Sequence, residues 1–191
     1  MLMNVGAFLL NTVLAILSTA LLLRFYLQAT KAPFYSPLSQ AVVSITNFAV
    51  VPLRRFIPGL FGLDIATLLL GFLMQLFAQI GIKWLIGFPF PLADHIAWFG
   101  FLGLAALHVA NISMDIFLYA IIGQALLSWV NPHTPIAPAL DALTRPILNP
   151  IRRVIPAPSG IDLSPLVAVL LAQVLQMVLF APLEITLLKM L

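Results

Sequence analysis

The chain has 191 residues, of which 62% are hydrophobic and 8% charged, with a net charge of +3 and no cysteine. Ordinary soluble domains carry about 25% charged residues, so this composition is that of an integral membrane protein, and it excludes disulfides, thiolate catalysis and cysteine-bound metal centres. Nine basic residues and a pI near 9.7 are too little for a phosphate-tracking surface, so no nucleic-acid partner is expected.

In chain order, residues 5–27 form the first apolar run long enough for a hydrocarbon core of roughly 30 Å, which takes about 20 residues at about 1.5 Å rise. No Lys or Arg precedes it and it exceeds a signal-peptide core, so it is predicted to be a retained spanning helix. A basic, proline-punctuated loop follows. Within it Leu38, Ala41, Val42, Ile45, Phe48 and Val51 recur at helical spacing, with Ser39, Gln40, Ser44 and Asn47 elsewhere on the wheel. This predicts a short amphipathic helix, lying flat in the membrane interface or packed against the ends of the spanning helices. Residues 65–86 form the second predicted span and residues 112–130 the third. Between them, residues 92–110 carry Asp94, His95 and His108 and follow Phe88-Pro89-Phe90-Pro91. The second basic loop offers a weaker amphipathic pattern in Leu140, Leu143 and Ile147, with Asp141 and Arg145 polar and Pro146 interrupting. Residues 163–183 form the fourth predicted span.

The chain repeats itself. Pro52-Leu53-Arg54-Arg55-Phe56-Ile57-Pro58 returns 98 positions later as Pro150-Ile151-Arg152-Arg153-Val154-Ile155-Pro156, and the offset holds from Gly62 to Gly160, Asp64 to Asp162 and Gln75 to Gln173. A self-match at fixed period marks a duplicated unit. The unit is an apolar span, a basic loop and a second span. One membrane domain over 1–191 is expected, with repeat 1 at about 5–86, an outer connection at about 87–110 and repeat 2 at about 111–191.

Charge sets the topology. Lys31, Arg54, Arg55, Arg145, Arg152 and Arg153 all lie in the two loops. Short basic loops stay cytoplasmic, so both loops should share one face and an even number of crossings should separate them. Residues 92–110 are therefore predicted to lie at the outer surface or to lengthen the third helix beyond the bilayer. Both termini then face outward. The expected class is all-α: about four transmembrane helices as two parallel helix-loop-helix repeats, with short amphipathic interfacial helices in the loops. This differs from the inverted repeats of many transporters.

Arg54, Arg55, Arg152 and Arg153 are candidates for holding anionic lipid or a protein partner, because guanidinium groups at headgroup level bind phosphate in a two-pronged way. Fixing topology alone also accounts for them. Asp64 and Asp162 stand where spans begin, as helix caps open to a salt bridge with an Arg of either repeat. Within the spans, Gln75 and Gln173 are candidate interhelical hydrogen-bond partners, with Gln79 and Gln176 about a turn further on. Asp115, near the outer end of the third span, is an intramembrane carboxylate, for which capping, hydration and an ion path are all open readings. Gly71 and Gly81 are placed to let helices approach closely. His95, His108 and His133 share no metal-ligand spacing, and no HExxH, GxSxG, P-loop or GxGxxG run occurs. No metal, cofactor or catalytic set is expected.

The doubled Pro-x-Arg-Arg-x-Ile-Pro, the Gly-x-Asp that opens a span, and Gly160-Ile161-Asp162-Leu163-Ser164-Pro165 resemble the YggT family, also called YlmG. The resemblance extends over nearly the whole chain, including Leu22-Leu23-Arg24 at the end of the first span and Leu127-Ser128-Trp129-Val130 at the matching end of the third. The first copy departs from the Asp-x-Ser-Pro form with Asp64-Ile65-Ala66-Thr67, which argues against equivalent halves. The resemblance implies a small protein of the bacterial inner membrane. Relatives in bacteria are associated with osmotic tolerance and cation homeostasis, those in plastids with cytochrome maturation and nucleoid organisation. The expected role is a non-enzymatic scaffold or assembly factor whose basic loops engage anionic lipid or a protein. The alternative is a small-ion channel or transporter acting as a homo-oligomer, motivated by Asp115, Gln75 and Gln173.

Overall fold

The computed structural model describes residues 2–57, 59, 62–92, 94–155 and 162–191. Its helices follow one order twice: long, short, long. In the first round these are α1 (Leu2–Ala29), α2 (Pro37–Arg54) and α3 (Ile65–Leu85). In the second they are α4 (His95–Val130), α5 (Ala137–Val154) and α6 (Ser164–Leu188), the last containing a π-helical turn over Gln176–Phe180. The helices α1, α3, α4 and α6 are long and apolar enough to cross a membrane, so the expected all-α membrane class is the one found.

Lipid tails are as apolar as leucine, so helices in a bilayer associate through close packing at small residues. The pair α1 and α3 uses Gly71 and Gly81 in this way. A Cβ on Gly71 would stand 3.1 Å from Leu22 Cδ2, and one on Gly81 would stand 2.7 Å from Leu10 Cδ2. The approach is close enough for Ser18 Oγ to donate to the Gly71 carbonyl at 3.1 Å. The pair α4 and α6 makes its tight contact near the start of α4, where Gly100 and Gly103 sit under Leu187 and Met190.

The two short helices contribute to one shared cluster. Leu27, Ala32 and Val42 from the first half form one buried cluster with Ala120, Ala139, Ala142 and Leu143 from the second. Both basic loops therefore occupy one end of the bundle. Helix α2 buries Ser39, Val42, Thr46 and Val50 against it and leaves Ile45, Phe48 and Val51 exposed. Of the two placements open from sequence, packing against the spanning helices is the one found, and the other face of α2 is exposed and apolar. Pro146 does not interrupt α5. That helix continues through Pro146 and Pro150 to Val154, and both prolines stand on its exposed face, so the bonds they remove lie away from the packed side.

The third long helix begins at His95, far upstream of the predicted 112, so residues 95–110 lengthen it. Asp94 starts it by accepting from Ala97 N at 3.0 Å. Ala97, Phe101, Leu104, Ala105 and Leu107 are buried, which explains why a stretch carrying two histidines stays helical. At about 1.5 Å per residue such a helix is roughly 54 Å long, well beyond a hydrocarbon core of about 30 Å, and it must tilt or project. Phe88, Phe90, Trp98 and Phe101 stack at the return from α3, an aromatic plug at that end.

Gly71→Leu is expected to force α1 from α3 and destabilise the protein by about 1–3 kcal/mol. A lowered thermal midpoint in detergent checks this; an unchanged midpoint contradicts the close-packing role.

Candidate functional site

At the shared end of the bundle, each loop is closed by an arginine and an aspartate ten residues apart. The last turn of α2 delivers Arg54, whose Nε donates to Asp64 Oδ2 at 3.1 Å while its Nη2 completes the pair. The same Nη2 reaches Gln28 Oε1 at 3.3 Å, and Gln28 Nε2 donates to the Gly62 carbonyl at 3.2 Å. Gly62 has φ of 79°, a left-handed conformation that glycine adopts without Cβ strain. Asp64 also caps α3, accepting from Thr67 N at 3.4 Å and from its hydroxyl. It is 3% exposed. In the second half Arg152 Nε and Nη2 donate to Asp162 Oδ2 at 2.9 and 2.8 Å, and Ser164 N donates to Oδ1 at 2.9 Å. Asp162 is 38% exposed, so the same pair is wetter. Each aspartate thus bonds the arginine of its own repeat. Burial pushes both carboxyls up, but Arg54 and Thr67 around Asp64, and Ser164 and Arg152 around Asp162, outweigh it and hold both below the usual carboxylate range.

One layer further in, a second matched contact ties each short helix to its preceding long one. Arg24 is buried at the end of α1, and its Nη1 donates to Thr46 Oγ1 at 2.7 Å and Asn47 Oδ1 at 2.9 Å. In the other half Gln124 accepts from the Thr144 hydroxyl and donates to Asp141 Oδ1 at 3.2 Å. Thr46 and Thr144 are separated by the same offset as the arginine pairs. Sequence reasoning assigned these contacts to none of these six residues; the repeated threonine was the available signal.

The four arginines of the two Arg-Arg steps therefore divide. Arg54 and Arg152 are held in ion pairs. Arg55 and Arg153 are exposed, and among the described residues their side chains make no hydrogen bond or ion pair. Beside them Phe56 and Val154 are also exposed, each more than three-quarters so. Each loop thus ends in an outward basic-apolar step.

The intramembrane candidates are arranged differently. Gln75 is buried with its Nε2 unpaired, whereas Gln173 is exposed, so the structure does not bring the two together. Their neighbours a turn further on cross the helix interfaces instead. Gln79 Nε2 lies 2.6 Å from His108 Nδ1, and Gln176 Nε2 donates to Asp115 Oδ1 at 2.9 Å. Gln176 also opens the π-turn, a feature that often marks a functional position. Asp115, expected near the outer end of its span, lies deep within α4 because that helix starts at His95. His108 Nε2 stands 3.6 Å from Glu184. Glu184 was missed because the predicted fourth span stops at 183, whereas α6 runs on to Leu188. Among the described residues no three His, Asp or Glu side chains are placed to hold a metal.

Asp64→Asn, which strands Arg54, is expected to cost about 1–3 kcal/mol, and Asp162→Asn, in a half-exposed pair, less than about 1 kcal/mol. Thermal unfolding in detergent measures both. Because both folded-state carboxyls sit below their ordinary value, their contribution is complete above about pH 4 and falls away as pH drops through the lowered value. A titration of the midpoint should show this acid limb in the native protein and lose most of it in Asp64→Asn.

The description CCB3/YggT belongs to the family model that matches residues 3–85 and 104–183, each stretch containing a basic loop between long helices. The chain is 38% identical over 176 residues to the Escherichia coli K12 protein described as "Uncharacterized protein YggT", covering 92% of this chain and 89% of that protein. It is 34% identical over 174 residues to "Uncharacterized protein PA0392" of Pseudomonas aeruginosa, covering 89% and 85%. A Vibrio alginolyticus protein described as "Uncharacterized protein in proC 3'region" is 35% identical over 169 residues, covering 86% and 88%. No solved structure gives a significant match. With both halves matched and these relatives covered nearly end to end, the chain belongs to the CCB3/YggT family.

Proposed function

We propose that the protein is a non-enzymatic scaffold or assembly factor of the bacterial inner membrane, with its two basic loops on the cytoplasmic face engaging anionic lipid or a protein partner there. The observation that carries this reading is the division of the arginines. Arg54 and Arg152 are occupied in the loop-closing pairs, while Arg55 and Arg153 stand exposed beside Phe56 and Val154 at one end of the bundle. A guanidinium next to an apolar side chain suits the headgroup boundary, where the charge meets phosphate and the apolar group meets acyl chain. Membership of the CCB3/YggT family, whose bacterial members the sequence resemblance links to osmotic tolerance, supports reading the scaffold as one that acts under osmotic stress.

Each basic residue near an anionic surface contributes about 1 kcal/mol, so Arg55→Gln with Arg153→Gln should lower retention of phosphatidylglycerol roughly thirtyfold. Native mass spectrometry of the purified protein reads this, with the thermal midpoint unchanged. Unchanged lipid retention, together with full rescue of a deletion strain at high osmolarity, would contradict the proposal.

A second reading, small-ion permeation through a homo-oligomer, is favoured by the polar contacts inside the bundle, Asp115 with Gln176 and Gln79 with His108 and Glu184. Intramembrane ionisable groups commonly mark ion paths. Flux through proteoliposomes that falls in Asp115→Asn supports it, and silence from a verified oligomer removes it.

A further inference from the structure

The two halves share a frame but are not filled alike. In the first, Gly71 admits Leu22, and Leu21 and Leu22 are fully buried between the helices. At the matching offset the second half has Val169, and there α4, α5 and α6 leave a cleft of about 990 Å³. That is the upper end of the range for small-ligand sites, about 300–1,000 Å³. Its walls are mostly apolar, with Ala125 and Trp129 from α4, Leu148 from α5 and Leu166 and Val169 from α6, and Gln124 and Ser128 of α4 add polar atoms. Its mouth is the Arg152–Asp162 pair, with both side chains about two-fifths exposed. From Trp129 to Ile121 the α4 wall runs for about 12 Å at about 1.5 Å per residue.

We propose that this cleft binds one glycerophospholipid with an ethanolamine headgroup, its upper acyl chain between α4 and α6, its phosphate on the Arg152 N–H groups that the Asp162 pair leaves over and its ammonium on the remaining Asp162 lone pairs, with the ion pair itself intact. The charges at the mouth select the headgroup. A positive and a negative group side by side match a headgroup that carries both signs. Phosphatidylglycerol has no cation for Asp162. Choline carries no N–H to donate to the carboxylate. Trp129, which is 83% exposed, adds an aromatic face for the ammonium at the same level. This site is distinct from Arg55 and Arg153, neither of which lines the cleft.

Trp129 is also the reporter. With Trp84→Phe and Trp98→Phe, it is the remaining tryptophan. Its quenching is read in phosphatidylcholine vesicles doped with ethanolamine, glycerol or choline lipids brominated high in the acyl chain. The brominated ethanolamine lipid should quench beyond its share of the bilayer by roughly fivefold in relative affinity. The other two should quench in proportion to their share. Soluble glycerophosphoethanolamine should not displace it, which separates a bound lipid from a headgroup-only site. Ala125→Phe fills the cleft and should abolish the excess while keeping the thermal midpoint, and Leu166→Phe serves if that variant does not fold. Arg55→Gln with Arg153→Gln should leave the excess intact, so this inference and the scaffold proposal fail separately. Proportional quenching by all three lipids, preference for the glycerol headgroup, shielding of Trp129 from every lipid by a second copy of the chain, or an excess that survives cleft filling would each overturn the proposal.

Discussion

A chain that re-enters a bilayer must bring its first backbone N–H groups into a region without water, and each unsatisfied group there costs several kcal/mol. Here each return from the basic end begins at an aspartate that accepts from those N–H groups and is held by an arginine ten residues upstream. The ion pair does two things at once. It caps the descending helix, and it pins the end of the short interfacial helix to the start of the long one. Buried Arg24 and Gln124 add a second tie between each short helix and its preceding span. The short helices become plates at one end of the bundle, and the outward arginine of each Arg-Arg step is left facing away from the packed side.

The two halves share one order of helices but are packed differently. Gly71, buried Gln75 and nearly inaccessible Asp64 make the first half tight. Val169, exposed Gln173 and half-exposed Asp162 stand at the same offsets and leave the second half open to the bilayer. Gly71 lets α1 and α3 approach closely, as small residues do between helices in lipid, whereas Val169 at the same offset puts an isopropyl group beside Ile121 and Leu148. The departure of Asp64-Ile65-Ala66-Thr67 from the second copy's Asp162-Leu163-Ser164-Pro165 follows the same division: Thr67 adds its hydroxyl to the cap in the tight half, whereas Pro165 lines the cleft in the open one.

Much of this was legible in the sequence because a bilayer enforces simple patterns. Span length, basic loops and a self-match at fixed offset point to the helices and to Arg54, Asp64, Arg152 and Asp162. What could not be read was partner choice. Nothing in the spacing says whether Arg54 or Arg55 turns inward, since adjacent residues on a helix point about 100° apart and only the packed loop selects one. Hydropathy alone left residues 92–110 outside the third span because Asp94, His95 and His108 lower the local average, and of the two placements left open by charge the lengthened helix is the one found. It missed Glu184 because polar residues near a helix end resemble an exit from the membrane. Gln75 and Gln173 were singled out by their matched positions, yet the interhelical bonds fell to Gln79 and Gln176, whose partners His108 and Asp115 lie on another helix.

The claim on which the rest depends is that both loops sit on one face of the membrane, and that face is the cytoplasm. The absence of native cysteine makes the measurement direct. Ser44→Cys on α2 and Asn149→Cys on α5, both exposed positions, are labelled with a membrane-impermeant maleimide in inverted and in right-side-out vesicles. Both sites should react in inverted vesicles and neither in right-side-out ones. Labelling of the two from opposite faces would require an odd number of crossings between them and would contradict the shared basic end.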